Sequence, residues 1–152
     1  MTLTQKESSL LSDLKAQEQL CITKYEEYAT RATDPALKNV FFELAATERA
    51  HLETINKILG GDEVRMPSAP PSATGVKTFT KSDCKQESKQ TDAFLCKDAL
   101  SMEKHVSGVY NTSVFEFSSP VLRDTLAHIQ KEEQNHGEEL YNYLSANGMY
   151  SA

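Results

Sequence analysis

The chain has 152 residues, 39% of them hydrophobic and 25% charged, enough to build one domain whose core needs no disulfide framework. Its 16 basic and 22 acidic residues leave a net charge of −6, which argues against nucleic acid or an anionic membrane surface as partner. No apolar run approaches the ~20 residues of a membrane helix, and the polar start MTLTQKESSLLSDLK does not read as a secretory signal, so synthesis in the cytoplasm is expected.

Chain order then gives four helical stretches. Leu11, Leu14, Glu18, Cys21, Tyr25, Tyr28 and Ala32 recur at three- and four-residue spacing and predict a helix near 8–31. In TDPALK, Asp34 suits an N-cap and Pro35 the first helical position. The helix they open, 35–59, has the stripe Leu37, Phe41, Leu44, Glu48, His51, Ile55 and Ile58, and Gly60-Gly61 stops it. Residues 60–80, GGDEVRMPSAPPSATGVKTFT, hold Gly, Pro and Ser without periodicity and read as a linker.

Helical pattern resumes over 83–116, with Cys96, Ala99, Glu103, Val106 and Tyr110 in the stripe. Ser119 and Pro120 repeat the start signal, and 120–146 has the stripe Leu122, Leu126, Ile129, Glu133, His136, Leu140 and Tyr143, closed by Asn147-Gly148. The expectation is one all-α domain over 1–152, a four-helix bundle of two hairpins, 8–60 and 83–147. The linker, 60–82, is long enough to be a crossover: about twenty extended residues reach ~65 Å, so helices two and three are expected to run parallel. The cysteines Cys21, Cys84 and Cys96 are odd in number and lack zinc-type spacing, so free thiols are expected; a crosslink through Cys84 is the alternative.

The two hairpins align without gaps at an offset of 85. Leu10 matches Leu95, Asp13 Asp98, Glu18 Glu103, Tyr25 Tyr110, Pro35 Pro120, Leu37 Leu122, Glu48 Glu133, His51 His136, Glu53 Glu138 and Leu59 Leu144. Much of the recurring set is polar, yet most of it lies on the apolar stripes. A buried, unpaired carboxylate costs several kcal/mol, and this sequence places four on its stripes. Glu18 and Glu48 are equidistant from the first turn, and Glu103 and Glu133 from the second, so each hairpin holds two carboxylates at one level. His51 and His136 follow Glu48 and Glu133 by three residues and share their helix faces.

Four carboxylates in one core repel unless cations intervene. Two divalent ions balance them, and two imidazoles complete the shell neutrally; a Glu from each of two helices plus Glu-x-x-His from each of the others is a dinuclear carboxylate arrangement. Oxygen and imidazole donors suit iron or manganese. Glu18, Glu48, His51, Glu103, Glu133 and His136 are thus the candidate ligands. Tyr25 and Tyr110 share the stripes, as core filling or as hydrogen-bond partners of metal-bound carboxylates. His105 and His128 lie off the stripes and are expected at the surface, as are Glu53, Glu132, Glu138 and Glu139.

This constellation resembles the ferritin-like superfamily, in which a long crossover joins the second and third helices. The closer resemblance, carried by KYEEYATRATDPALKNVFFELA (24–45), MEKHVSGVYNTSVFEFSSPVLRDTLAHIQKEEQNHGEELYNYL (102–144) and NGMY (147–150), is to the spore coat protein F family. The resemblance implies a ferritin-like bundle in the spore coat, among other coat proteins or as a homo-oligomer, with those six residues as ligands of two Fe or Mn ions. Action on peroxide or dioxygen is one implied role; a structural coat component whose site is empty or only stabilising is the other. Neither the fifth short helix of cage-forming ferritins nor the Cys-x-x-Cys pairs of a rubredoxin domain is expected from these residues, so iron storage and rubrerythrin-type electron transfer are the disfavoured expectations.

Overall fold

The computed structural model describes residues 2–65 and 75–150. They form four helices, α1 (Gln5–Arg31), α2 (Pro35–Leu59), α3 (Gln86–Glu116) and α4 (Pro120–Ala146), with no strand among the described residues. Both proline-initiated helices start where the sequence signals them. The Asp34 carboxylate accepts from the Ala36 amide, and the Ser119 hydroxyl accepts from the Leu122 amide.

Two starts differ from the expected ones. α1 begins at Gln5 rather than near residue 8 because Thr4 and Glu7 form a capping box, each side chain bonding the other's backbone amide. α3 begins at Gln86 rather than 83. The Cys84 amide donates to the Ser82 hydroxyl, and Lys85 opens the helix without a side-chain cap. Past the ends of α2 and α4, Gly61 and Gly148 take positive φ, the left-handed turn that Gly adopts without strain.

Contacts between named residues fix the directions. Lys38 Nζ donates to the Ala29 carbonyl, and Arg49 pairs with Glu26, so α1 and α2 are antiparallel. In the second hairpin Gln130 bonds the Ser107 carbonyl and Cys96 the Leu140 carbonyl. Across the hairpins Lys6 pairs with Glu116 and Lys24 with Asp98, which makes α1 and α3 antiparallel. α2 and α3 therefore run the same way. The described flanks of their connection agree: residues 63–65 share a cavity with Thr125 and His128, near the start of α4. Farther on, the Lys77 carbonyl accepts from Asn142, and the Ser82 amide donates to Asn147 at the end of α4. The middle of the expected 60–82 linker, residues 66–74, lies outside the described residues.

Every stripe residue read from the sequence is buried. Leucine, isoleucine and aromatic side chains fill both ends of the core, each contributing about 1.5–3 kcal/mol by leaving water. Between them lies a polar layer. Cys21 and Cys96 are buried free thiols and Cys84 a half-buried one.

Candidate metal centre

All six residues singled out from the sequence meet in that layer. Glu18, Glu48, His51, Glu103, Glu133 and His136 have at most 6% of their surface exposed. They form two overlapping groups, Glu18–Glu48–His51–Glu133 and Glu48–Glu103–Glu133–His136; in each, one ligand atom per residue lies within 4.8 Å of the others. Glu48 and Glu133 belong to both. His51 Nδ1 is 2.9 Å from Glu133 Oε1, 3.2 Å from Glu48 Oε2 and 3.7 Å from Glu18 Oε1. His136 Nδ1 is 3.0 Å from Glu48 Oε1, 3.3 Å from Glu103 Oε1 and 3.4 Å from Glu133 Oε2. The two imidazoles stack with centroids 5.9 Å apart.

The tyrosines cross between hairpins. Tyr25 donates its hydroxyl to Glu103, and Tyr110, its counterpart at offset 85, donates to Glu18. Each phenol thus holds a carboxylate of the other hairpin. Burial first, and the charge of the bonded glutamate next, push both phenols well above their ordinary range, so they remain donors.

The cluster's charges divide. Burial, then the neighbouring Glu48 and Glu133, push Glu18 up to about 11. Burial and the Glu133 charge likewise drive Glu103 upward. Burial also pushes on Glu48 and Glu133, but hydrogen bonds from the partner glutamate and both imidazoles outweigh it and lower them. Burial opposes a charge on each histidine as well. The surrounding carboxylates overcome it and raise both.

Glu18 Oε2 and Glu103 Oε2 are buried without a hydrogen-bond partner, and Glu133 Oε2 has only His136 Nδ1 at 3.4 Å, outside hydrogen-bond geometry. Two things can satisfy them: a proton shared between paired carboxyls, or a cation. A buried cluster of carboxylate oxygens and imidazole nitrogens is a donor set that hard or borderline divalent ions take. The residues fit such ions.

Three surface expectations are corrected. Glu132 is half-buried, with Oε2 3.3 Å from His51 Nε2 and Oε1 2.8 Å from His128 Nε2. His128 is therefore also half-buried, and both line a cavity of about 440 Å³ between α2, α4 and residues 63–65. Glu139 is half-buried, with Oε1 lacking a partner. Neither periodicity nor motif marked these residues, because they lie off the stripes and the packing of α4 against α2 is what covers them. His105, Glu53 and Glu138 are exposed, as expected.

Two further buried carboxylates, Glu7 and Asp92, are again 85 apart. Asp92 accepts from the Thr33 amide and hydroxyl and the Asp34 amide; Glu7 accepts from the Ser118 amide and hydroxyl. They clamp the two hairpin turns and take no part in the central layer.

Helix order, directions and the carboxylate–histidine layer define an all-helical protein with a buried cluster that can hold metal. Residues 91–152 match the model of the Coat F domain family. The match takes in Glu103, Glu133 and His136, while Glu18, Glu48 and His51 precede it. No curated protein and no solved structure matches the chain.

Proposed function

We propose that this chain is a ferritin-like, spore-coat-associated protein whose core holds two divalent ions, iron or manganese, and acts on peroxide or dioxygen. The observation that carries the reading is the central layer itself: four carboxylates and two imidazoles buried together, with three oxygens that accept no hydrogen bond of good geometry. Two ions of charge +2 balance four ionised glutamates. Glu18 and His51 would serve one, Glu103 and His136 the other, and Glu48 and Glu133 both. A bound pair of such ions supplies two adjacent redox-active Lewis acids.

The chain's own part is to hold that constellation. The four helices fix the carboxylates at one level, and the tyrosines orient Glu18 and Glu103 from the opposite hairpin. Buried apolar stripes close the layer above and below. Parallel α2 and α3 support the ferritin-like class. The Coat F match supports the coat as its location; other coat proteins, or further copies of this chain, are the partners this reading proposes. Among the described residues no helix is long and apolar enough to cross a membrane. Because a coat family specifies a place and not a reaction, the match also favours a second reading, a structural coat component whose cluster is empty or only braces the fold.

Adding Fe²⁺ or Mn²⁺ anaerobically to metal-stripped protein tests the reading. Binding only the folded state, an ion at a hundredfold excess over its Kd stabilises by about 2.7 kcal/mol, so Tm should rise with two ions bound per chain. His136→Ala or Glu48→Ala should abolish the rise. A wild-type Tm indifferent to both ions overturns the metal reading. Catalytic consumption of peroxide by the loaded protein separates the working centre from the brace.

A further inference from the structure

The repeat makes the two halves of the cluster nearly interchangeable, except behind the histidines. His51 presents Nδ1 to Glu18, Glu48 and Glu133, and its Nε2 faces Glu132. His128 Nε2 engages the other oxygen of Glu132 at 2.8 Å, so that carboxylate is held from both sides. At offset 85 the counterpart of Glu132 is Thr47, and that of His128 is Glu43. Thr47 donates to the Glu43 carbonyl of its own helix, while the Glu43 carboxylate pairs with Lys77. Among the described residues, the polar contacts of His136 all run through Nδ1.

This matters for an imidazole ligand. A ring whose second N–H is donated to a carboxylate is fixed in tautomer and orientation and is a stronger base towards metal; losing that partner typically costs about 10–100-fold in affinity. We infer that the two metal positions are not equivalent: Glu132, held by His128, positions His51 so that the ion at Glu18–Glu48–His51–Glu133 binds first and more tightly than the ion at Glu48–Glu103–Glu133–His136. Glu132 is a positioning residue, and the inference rests on the metal reading above.

The test is an anaerobic titration of the full, metal-stripped chain with Co²⁺, followed by calorimetry and visible absorption. The wild type should bind in two steps, the first tighter by about tenfold or more. The Glu132 side chain is 30% exposed, so its removal opens the space behind His51 to water rather than leaving a closed cavity. Glu132→Ala should weaken the first step by about 10–100-fold and leave the second nearly unchanged. Glu132→Gln, which keeps an acceptor for Nε2–H, should recover part of the loss, and Thr47→Glu should narrow the gap from the other side. Two equal steps in the wild type, or equal weakening of both steps by Glu132→Ala, would overturn the inference and leave the metal reading standing. No Co²⁺ bound at all would remove both.

Discussion

Tyr25 and Tyr110 do at the residue scale what no apolar side chain could. Each sits fully buried on a stripe and satisfies one oxygen of a glutamate in the other hairpin. Removing the hydroxyl alone keeps the ring and its packing but strands that oxygen. Tyr110→Phe in the metal-free chain should therefore cost about 1–3 kcal/mol in urea unfolding, and Tyr25→Phe a similar amount. Tyr141→Phe, at a 42% exposed position, should stay within about 0.5 kcal/mol. A loss at Tyr110 no larger than at Tyr141 would mean that the crossed hydrogen bond does not matter. The six cluster residues were legible in the sequence because a glutamate on an apolar stripe is an anomaly that needs a cause, and its recurrence at a fixed offset supplied one. Glu132 and His128 were not, since an acid and a histidine off the stripe look like any solvated face. Only the position of α4 against α2 brings Glu132 to His51.

α1, α2 and α4 are held by their capped starts as well as by their stripes. The starts of α2 and α4 were legible because Asp34-Pro35 and Ser119-Pro120 combine a side-chain cap with a residue that needs no amide partner. The clamps on the same turns were not. Glu7 and Asp92 differ in residue type, as do their partners Ser118 and Thr33, so an alignment scored by identity passes over a conserved geometry. Asp92 satisfies two backbone amides and a hydroxyl in the turn between α1 and α2. Asp92→Ala leaves those donors without their acceptor and should cost about 1–3 kcal/mol, read as a lowered Tm. The exposed Asp124→Ala should change stability by less than about 0.5 kcal/mol. If the two variants melt alike, the turn does not depend on its clamp.

For the whole molecule, the central layer ties stability to pH with opposite signs in the metal-free and metal-loaded chains. Glu18, Glu103, His51 and His136 all have folded pKa values raised above their ordinary ones. Their contribution is fully present below the unfolded values, 4.5 for the glutamates and 6.5 for the histidines, and is lost as pH rises through the folded ones. Glu48 and Glu133 are lowered, so theirs is present above 4.5 and is lost as pH falls. The metal-free chain should thus be most stable near about pH 4.5–5 and melt progressively lower towards about pH 9. Divalent ions reverse the trend, because they compete with the same protons: ligands must be deprotonated to bind, so loading releases protons and tightens as pH rises. At a fixed Mn²⁺ concentration the metal-induced increase in Tm should be larger at about pH 8 than at about pH 6. Parallel melting curves with and without Mn²⁺ across that range would show that the ion does not displace the cluster's protons, and the buried carboxylates would then be held by protons alone.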